Sequence, residues 1–358
     1  MREEFHMTAK KDICDFTLEE LKEAIRSMGE APHRANQIFL WINDKHAGSF
    51  TMMTDLPKEL IKRLEENFLI GRLVCAEHLT SGDGAEKFLW ELRDGEYMET
   101  VLIKEKNRRT LCLSTQVGCR FKCPFCASGM KGFKRNLTAS EITGQVLSVR
   151  DITGARATNI VFMGMGEPLD NYENLMRSIR IINCPGGMNI GSRKITISTC
   201  GIVPGILKLK SIGLQVELSI SLHAVKNDLR DELVPVNRKY PLNTLIRACK
   251  EYYKSTKRII TLEYTLIKGV NDSDEDAKSL AGIASGIKAK VNLIGYNIFS
   301  RFSGESSGGE RTVFFKRYLY KKGITATIRK SRGGDILAAC GQLAAARGSS
   351  AKRGKSEV

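Results

Sequence analysis

The chain has 358 residues, enough for one large domain with a smaller one beside it. Its 42% hydrophobic content excludes a disordered chain, and no apolar run approaches the ~20 residues that span a bilayer. The net charge of +16 points to a polyanionic partner, nucleic acid before membrane; ten cysteines and no signal-like apolar N-terminus point to metal or redox chemistry in the cytoplasm.

Residues 1–70 read as a small helical accessory domain, suited to gripping RNA or to packing. Thr17 and Glu20 make a capping box, and Leu18, Leu21 and Ile25 recur on one face before Gly29 stops the helix. A second helix carries Ile38, Phe39, Trp41 and Ile42. A third, begun by Pro57, carries Leu60, Ile61 and Leu64. Residues 71–116 change to a period of two and form a β-hairpin extension. Strands are expected at 72–79, 87–92, 97–104 and 110–115, with Gly82-Asp83-Gly84 and Asp94-Gly95 as turns.

A loop rich in cysteine follows, Gly118 to Gly129, reading GCRFKCPFCASG. Cys119, Cys123 and Cys126 fall in the pattern CxxxCxxC, among two glycines and Pro124. Structural zinc takes four closed ligands. Iron–sulfur clusters also take four cysteines as a rule. Three thiolates on a cluster would leave one iron open to a ligand that is not protein. A zinc knuckle remains the alternative on spacing alone.

From Thr138 onward, strands and helices alternate. Thr138 and Glu141 cap a helix to about Arg150. Strands are expected at 159–163, 194–198, 216–221, 259–266, 290–296 and 324–328. Helices are expected at 172–182, 203–212, 241–255, 274–287 and 312–321. This rhythm predicts an α/β fold with a parallel sheet and crossover helices, about six βα units in a partial barrel. Sites in such folds lie at the carboxyl ends of strands, where Gly164–Glu167, Ser198, Ser221–His223 and Asn297 fall. Residues 301–311, RFSGESSGGER, read as a mobile loop. The core domain runs over 117–346, and 347–358 is a disordered basic tail.

Four motifs together, GCRFKCPFCASG, MGMGEP at 163–168, ISLHA at 220–224 and AACGQL at 338–343, resemble the RlmN/Cfr family of radical S-adenosylmethionine (SAM) enzymes. The resemblance runs from about residue 13 to 345 and is nearest the RlmN branch. It implies a partial (β/α)6 radical SAM barrel. It also implies methylation of adenine C2 at adenosine 2503 of 23S ribosomal RNA and at adenosine 37 of transfer RNAs. The implied cofactors are a [4Fe–4S] cluster and two SAM molecules per turnover. The implied partners are 23S rRNA, transfer RNA and an electron donor of the flavodoxin or ferredoxin type, acting on a monomer with no membrane. Two other functions stay open: C8 methylation of the same adenosine, as in the antibiotic-resistance branch, and a non-catalytic iron–sulfur RNA-binding protein.

By the same resemblance Cys119, Cys123 and Cys126 hold the cluster. Gly166, Glu167, Ser198, Ser221, Leu222, His223 and Asn297 hold SAM. Cys340 carries the methyl group on its sulfur. A second SAM, reduced at the cluster, yields the radical that removes hydrogen from that methyl group. Cys112 then resolves the protein–RNA adduct and leaves a transient disulfide with Cys340, and Glu99 is the proton acceptor. Taken alone, Glu167 would be a surface carboxylate and His223 a satisfied buried histidine. Cys14, Cys75, Cys184, Cys200 and Cys249 match no catalytic position and read as packing residues. The segment after Asn297, IFSRFSGESSGG, lacks the prolines common in the family.

Overall fold

The computed structural model describes residues 10–298 and 302–345. Its centre is one ten-stranded sheet whose spatial order follows chain order. The strands are β1 (Val74–Thr80), β2 (Glu86–Glu91), β3 (Tyr97–Glu105), β4 (Arg108–Cys112), β5 (Asn159–Phe162), β6 (Ile195–Thr199), β7 (Glu217–Ser221), β8 (Thr261–Leu266), β9 (Lys290–Gly295) and β10 (Ala326–Arg329). β1 to β4 are antiparallel neighbours. From β4 to β10 every neighbouring pair is parallel.

β4 therefore belongs to both halves: it closes the antiparallel meander and opens the parallel run. Six helical crossovers join β4 to β10, as the alternation in sequence predicts. The sheet stays open, since β1 and β10 each have one paired edge. The parallel strands are short and alternate: Ile160, Phe162, Ile197, Leu218, Ile220, Leu262 and Leu293 make a buried apolar face, while Ser198, Ser219, Glu263 and Thr265 are buried on the opposite one.

The N-terminal helices Leu18–Ser27, His33–Asn43 and Lys58–Asn67 form their own apolar cluster around Leu21, Ile25, Ile38, Phe39, Leu60 and Leu64. That cluster extends to Ala139 and Ile181 on two crossover helices. Both halves of the Thr17–Glu20 and Thr138–Glu141 capping boxes are present.

Some elements differ from the sequence expectation. The helix Asn227–Leu233 was not expected, because NDLRDEL offers no apolar stripe. A two-stranded ladder, Gln116–Gly118 with Phe133–Asn136, closes the cysteine loop. Of the loop expected over 301–311, residues from Gly308 onward are the first turn of the helix Gly308–Lys321. Glu305 and Ser306 are pinned to Lys268 and Ile267. Arg301 and the tail 347–358 lie outside the described residues. No helix among the described residues is long and apolar enough to cross a membrane.

Candidate active site

The carboxyl ends of the parallel strands surround one cavity. The cysteine loop after β4 supplies Cys119, Cys123 and Cys126. The turn after β5 supplies Gly166 and Glu167, and β6 and β7 supply Ser198, Ser221 and His223. Asn297 comes from the end of β9, and Cys340 closes the cavity from the C-terminal segment.

Backbone contacts explain the glycines. Gly118 has φ +73, and a Cβ there would stand 1.7 Å from the carbonyl oxygen of Gly132. Gly166 has φ +94, and its Cβ would meet Gln116 Cβ at 2.5 Å. Gln116 in turn accepts the Glu167 N–H through Oε1 at 2.9 Å. The MGMGEP turn is thus clamped onto the chain just before the cysteine loop.

The three loop cysteines are free thiols at the cavity wall. Burial pushes Cys119 up to about 12. It also holds Cys123 well above its ordinary value, and repulsion from Cys126 and Cys119 adds to that. Burial raises Cys126 too, while hydrogen bonds from Gly129 and Ser128 to its sulfur act against that. Three clustered buried thiolates need a cationic centre between them, and binding one releases their protons. A zinc site would draw four donors around one ion. Among the described residues no group of three or more His, Cys, Asp or Glu side chains closes that way. Three thiols lining an open cavity would suit an iron–sulfur cluster instead.

Glu167 is 4% exposed, and burial raises its pKa. Its Oε1 accepts the Leu169 N–H at 3.0 Å and its Oε2 the Cys200 N–H at 2.8 Å. The carboxylate thus joins the turn after β5 to the turn after β6, a role the sequence did not reveal. His223 sits at φ +56, an uncommon conformation for a non-glycine residue. Its Nδ1 accepts the Thr265 N–H at 3.1 Å, which leaves the proton on Nε2. Burial, with the nearby Arg230 charge, lowers its pKa to about 3, so the ring is neutral. Ser198 and Ser221 hydroxyls stand 3.4 Å apart on adjacent strands. Leu222 does not line the cavity. It is buried, and its N–H bonds to the Glu263 carbonyl at 3.0 Å.

Arg230, from the unexpected helix, was missed. It is fully buried. Its guanidinium donates to the carbonyls of Leu222, Cys200 and Ser221 and to Asn237 Oδ1 at 2.7–3.2 Å. It fastens the ends of β6 and β7 behind the site. Arg230→Lys, which cannot reproduce the fork, is expected to cost about 3 kcal/mol in urea unfolding. Cys200, read as packing, also lines the cavity beside the cluster cysteines.

The C-terminal segment docks on the cysteine loop. Ala127 N–H donates to the Gly341 carbonyl at 2.7 Å, and the Ser128 hydroxyl to Leu343 O at 2.6 Å. Asn297 Nδ2 holds the Cys340 carbonyl at 3.1 Å. Cys340 is exposed and borders two cavities: the large one, and a smaller one it shares with Cys112, Met163 and Arg329. Cys112, the last residue of β4, is buried. Burial, helped by Cys340 and opposed by Arg329, pushes it up to about 12. Glu99 lines neither cavity and is 2% exposed, held against Lys87 and the segment after Cys340.

Two family models match the chain: the radical SAM superfamily over residues 113–281, and the ribosomal RNA large subunit methyltransferase N-terminal domain over 11–70. A Clostridium perfringens protein named "Probable dual-specificity RNA methyltransferase RlmN" is 46% identical over 334 residues, 93% of this chain and 96% of its own length. The chain belongs to the RlmN family of radical SAM methyltransferases. A Thermotoga neapolitana protein of the same name is 48% identical over 335 residues, 93% of this chain and 97% of that protein. The crystal structure of a radical SAM methyltransferase from Sphaerobacter thermophilus is 45% identical, with a TM-score of 0.89 over 94% of this chain and all of the other. The cofactors are those of the radical SAM superfamily, a [4Fe–4S] cluster and SAM.

Proposed function

We propose that the chain methylates C2 of adenosine 2503 in 23S rRNA and of adenosine 37 in transfer RNAs, through a methyl group carried on Cys340. The observation that carries this reading is the place of Cys340. It borders the cavity of the three cluster cysteines and the smaller cavity of Cys112.

Adenine C2 lies between two ring nitrogens, so it is a poor nucleophile, and its C–H is barely acidic. Polar methylation fails there, and the cluster with SAM supplies the one-electron chemistry instead. The chain's residues do the rest. Cys119, Cys123 and Cys126 would hold the cluster. Gly166 allows close backbone approach, and Glu167, Ser198, Ser221, His223 and Asn297 present polar groups to SAM. Leu222 shapes the β7 end from behind. Cys340 Sγ takes the methyl group and bonds through it to C2. Cys112, protonated at rest, attacks the Cys340 sulfur once deprotonated: the S–S bond forms as the S–C bond breaks, and the released carbon keeps that bond's electron pair and takes a proton to become the methyl group, while the one electron left over from the radical addition would return to the cluster oxidised in cleaving SAM. Glu99 accepts the C2 proton. Helices within residues 1–70 grip the RNA, the strands within 71–116 extend the sheet of the core, and a flavodoxin- or ferredoxin-type donor reduces a cytoplasmic monomer.

His223 offers SAM an Nε2–H from a neutral ring. His223→Ala is expected to weaken SAM binding about tenfold, the worth of one buried donor, by calorimetry on the reconstituted protein. The wild-type contribution of this donor is constant from pH 6 to 8, since the folded ring protonates only near 3. The unfolded ring protonates near 6.5, so this residue costs the fold stability as pH falls from 6.5 toward 3.

Nucleoside mass spectrometry of treated 23S rRNA and transfer RNA tests the proposal. 2-Methyladenosine is expected in both. 8-Methyladenosine alone would overturn the C2 assignment and favour the C8 branch.

A further inference from the structure

Glu99 and Lys87 form the most enclosed ion pair among the described residues. Lys87 is 8% exposed and Glu99 2%. The antiparallel register of β2 and β3 pairs Leu89 with Glu99 and Lys87 with Val101, which puts the two charges diagonally on one face. Lys87 Nζ lies 3.1 Å from Glu99 Oε1. The other carboxylate oxygen, Oε2, accepts the N–H of Ala344 at 2.8 Å and of Ala345 at 2.9 Å. Lys87 also reaches the Leu337 carbonyl at 3.5 Å. The pair therefore grips the C-terminal segment on both sides of Cys340 in sequence.

A buried ion pair is weak evidence for a stabilising role, because desolvation offsets the attraction. Its placement explains it better. The two oxygens have different partners: one a fixed cation on the sheet, the other the N–H groups of the segment that carries Cys340.

We propose that Lys87 is a positioning residue for the transfer: it holds the Glu99 carboxylate in place through Oε1, while Glu99 Oε2 latches the Cys340 segment. With the latch closed, Ala344 and Ala345 cover Oε2. When that segment lifts, Oε2 is freed and Lys87 remains on Oε1, so the acceptor oxygen stays in position when a proton must be taken. In that step the C2–H bond breaks, its electron pair stays with the adenine ring, and the proton joins Oε2. This inference rests on Glu99 being the proton acceptor.

Lys87→Met tests it. Cys340 methylation is expected to proceed, with one S-adenosylhomocysteine per chain and unchanged cluster iron. Product formation is expected to fall about 100-fold while a covalent RNA adduct accumulates. Lys87→Arg is expected to recover turnover to within about threefold of wild type. Hydrogen exchange of the 338–345 peptide should be slow in wild type and faster in Lys87→Met and Glu99→Gln. Wild-type turnover in Lys87→Met overturns the proposal, as does lost turnover with equal loss of Cys340 methylation and no adduct. Should Lys87→Met not fold, an unprotected 338–345 peptide in wild type overturns the latch by itself. A wild-type protein that methylates Cys340 but makes no 2-methyladenosine instead overturns the proposed function, and that is read before any variant is made.

Discussion

Cys112→Ala is expected to stop after a single adduct: RNA becomes covalently attached to Cys340 and no methylated nucleoside is released. Cys112 ends β4, whose pairing with β5 fixes its backbone and aims it at the cavity it shares with Cys340. Alanine keeps the strand and removes only the sulfur that would displace the Cys340–carbon bond. The cost to folding is small, because the change removes one buried sulfur and leaves the backbone of the strand as it was. The cost to turnover is nearly complete, because no other cysteine lines that small cavity apart from Cys340 itself. Denaturing gels with labelled RNA, under reductant and SAM, show the adduct as a slow band. Full turnover in Cys112→Ala would remove Cys112 from the mechanism.

Cys123→Ser is expected to lose the cluster and to reduce SAM cleavage and RNA methylation by about 100-fold or more. Cys123 sits between the other two loop thiols in sequence, and its thiol is raised both by burial and by repulsion from Cys126 and Cys119. Serine is a harder and less acidic donor and cannot replace a thiolate on iron. Iron and sulfide content after anaerobic reconstitution, with the visible charge-transfer absorbance, measures the loss. The same experiment separates the cluster from a structural zinc: zinc-loaded wild type with no iron uptake would contradict the assignment.

Local sequence signals carried much of this. The cysteine spacing, two capping boxes and the βα alternation each depend on neighbours within a few residues, and each has its counterpart in the structure. The candidate residues at strand ends converge because parallel strands all deliver their carboxyl ends to one side. Arg230 was hidden because NDLRDEL looks like a solvated turn, and only the fold shows its charge turned inward onto three carbonyls. The Glu99–Lys87 pair depends on strand register, and its grip on Ala344 and Ala345 joins residues 245 and 246 positions apart. Glu167 taken alone reads as a surface carboxylate, yet it is buried and both its oxygens bind backbone N–H groups of two separate turns. Contacts of such long range leave no periodic trace in the chain.

The most direct measurement reconstitutes the protein anaerobically with iron and sulfide, then supplies reductant, SAM and a 23S rRNA fragment, with products read by mass spectrometry. The expected result is 5′-deoxyadenosine, S-adenosylhomocysteine and 2-methyladenosine together. A loaded cluster that gives none of the three, with competent reductant and RNA present, would contradict catalysis through Cys340 and leave an iron–sulfur protein that only binds RNA.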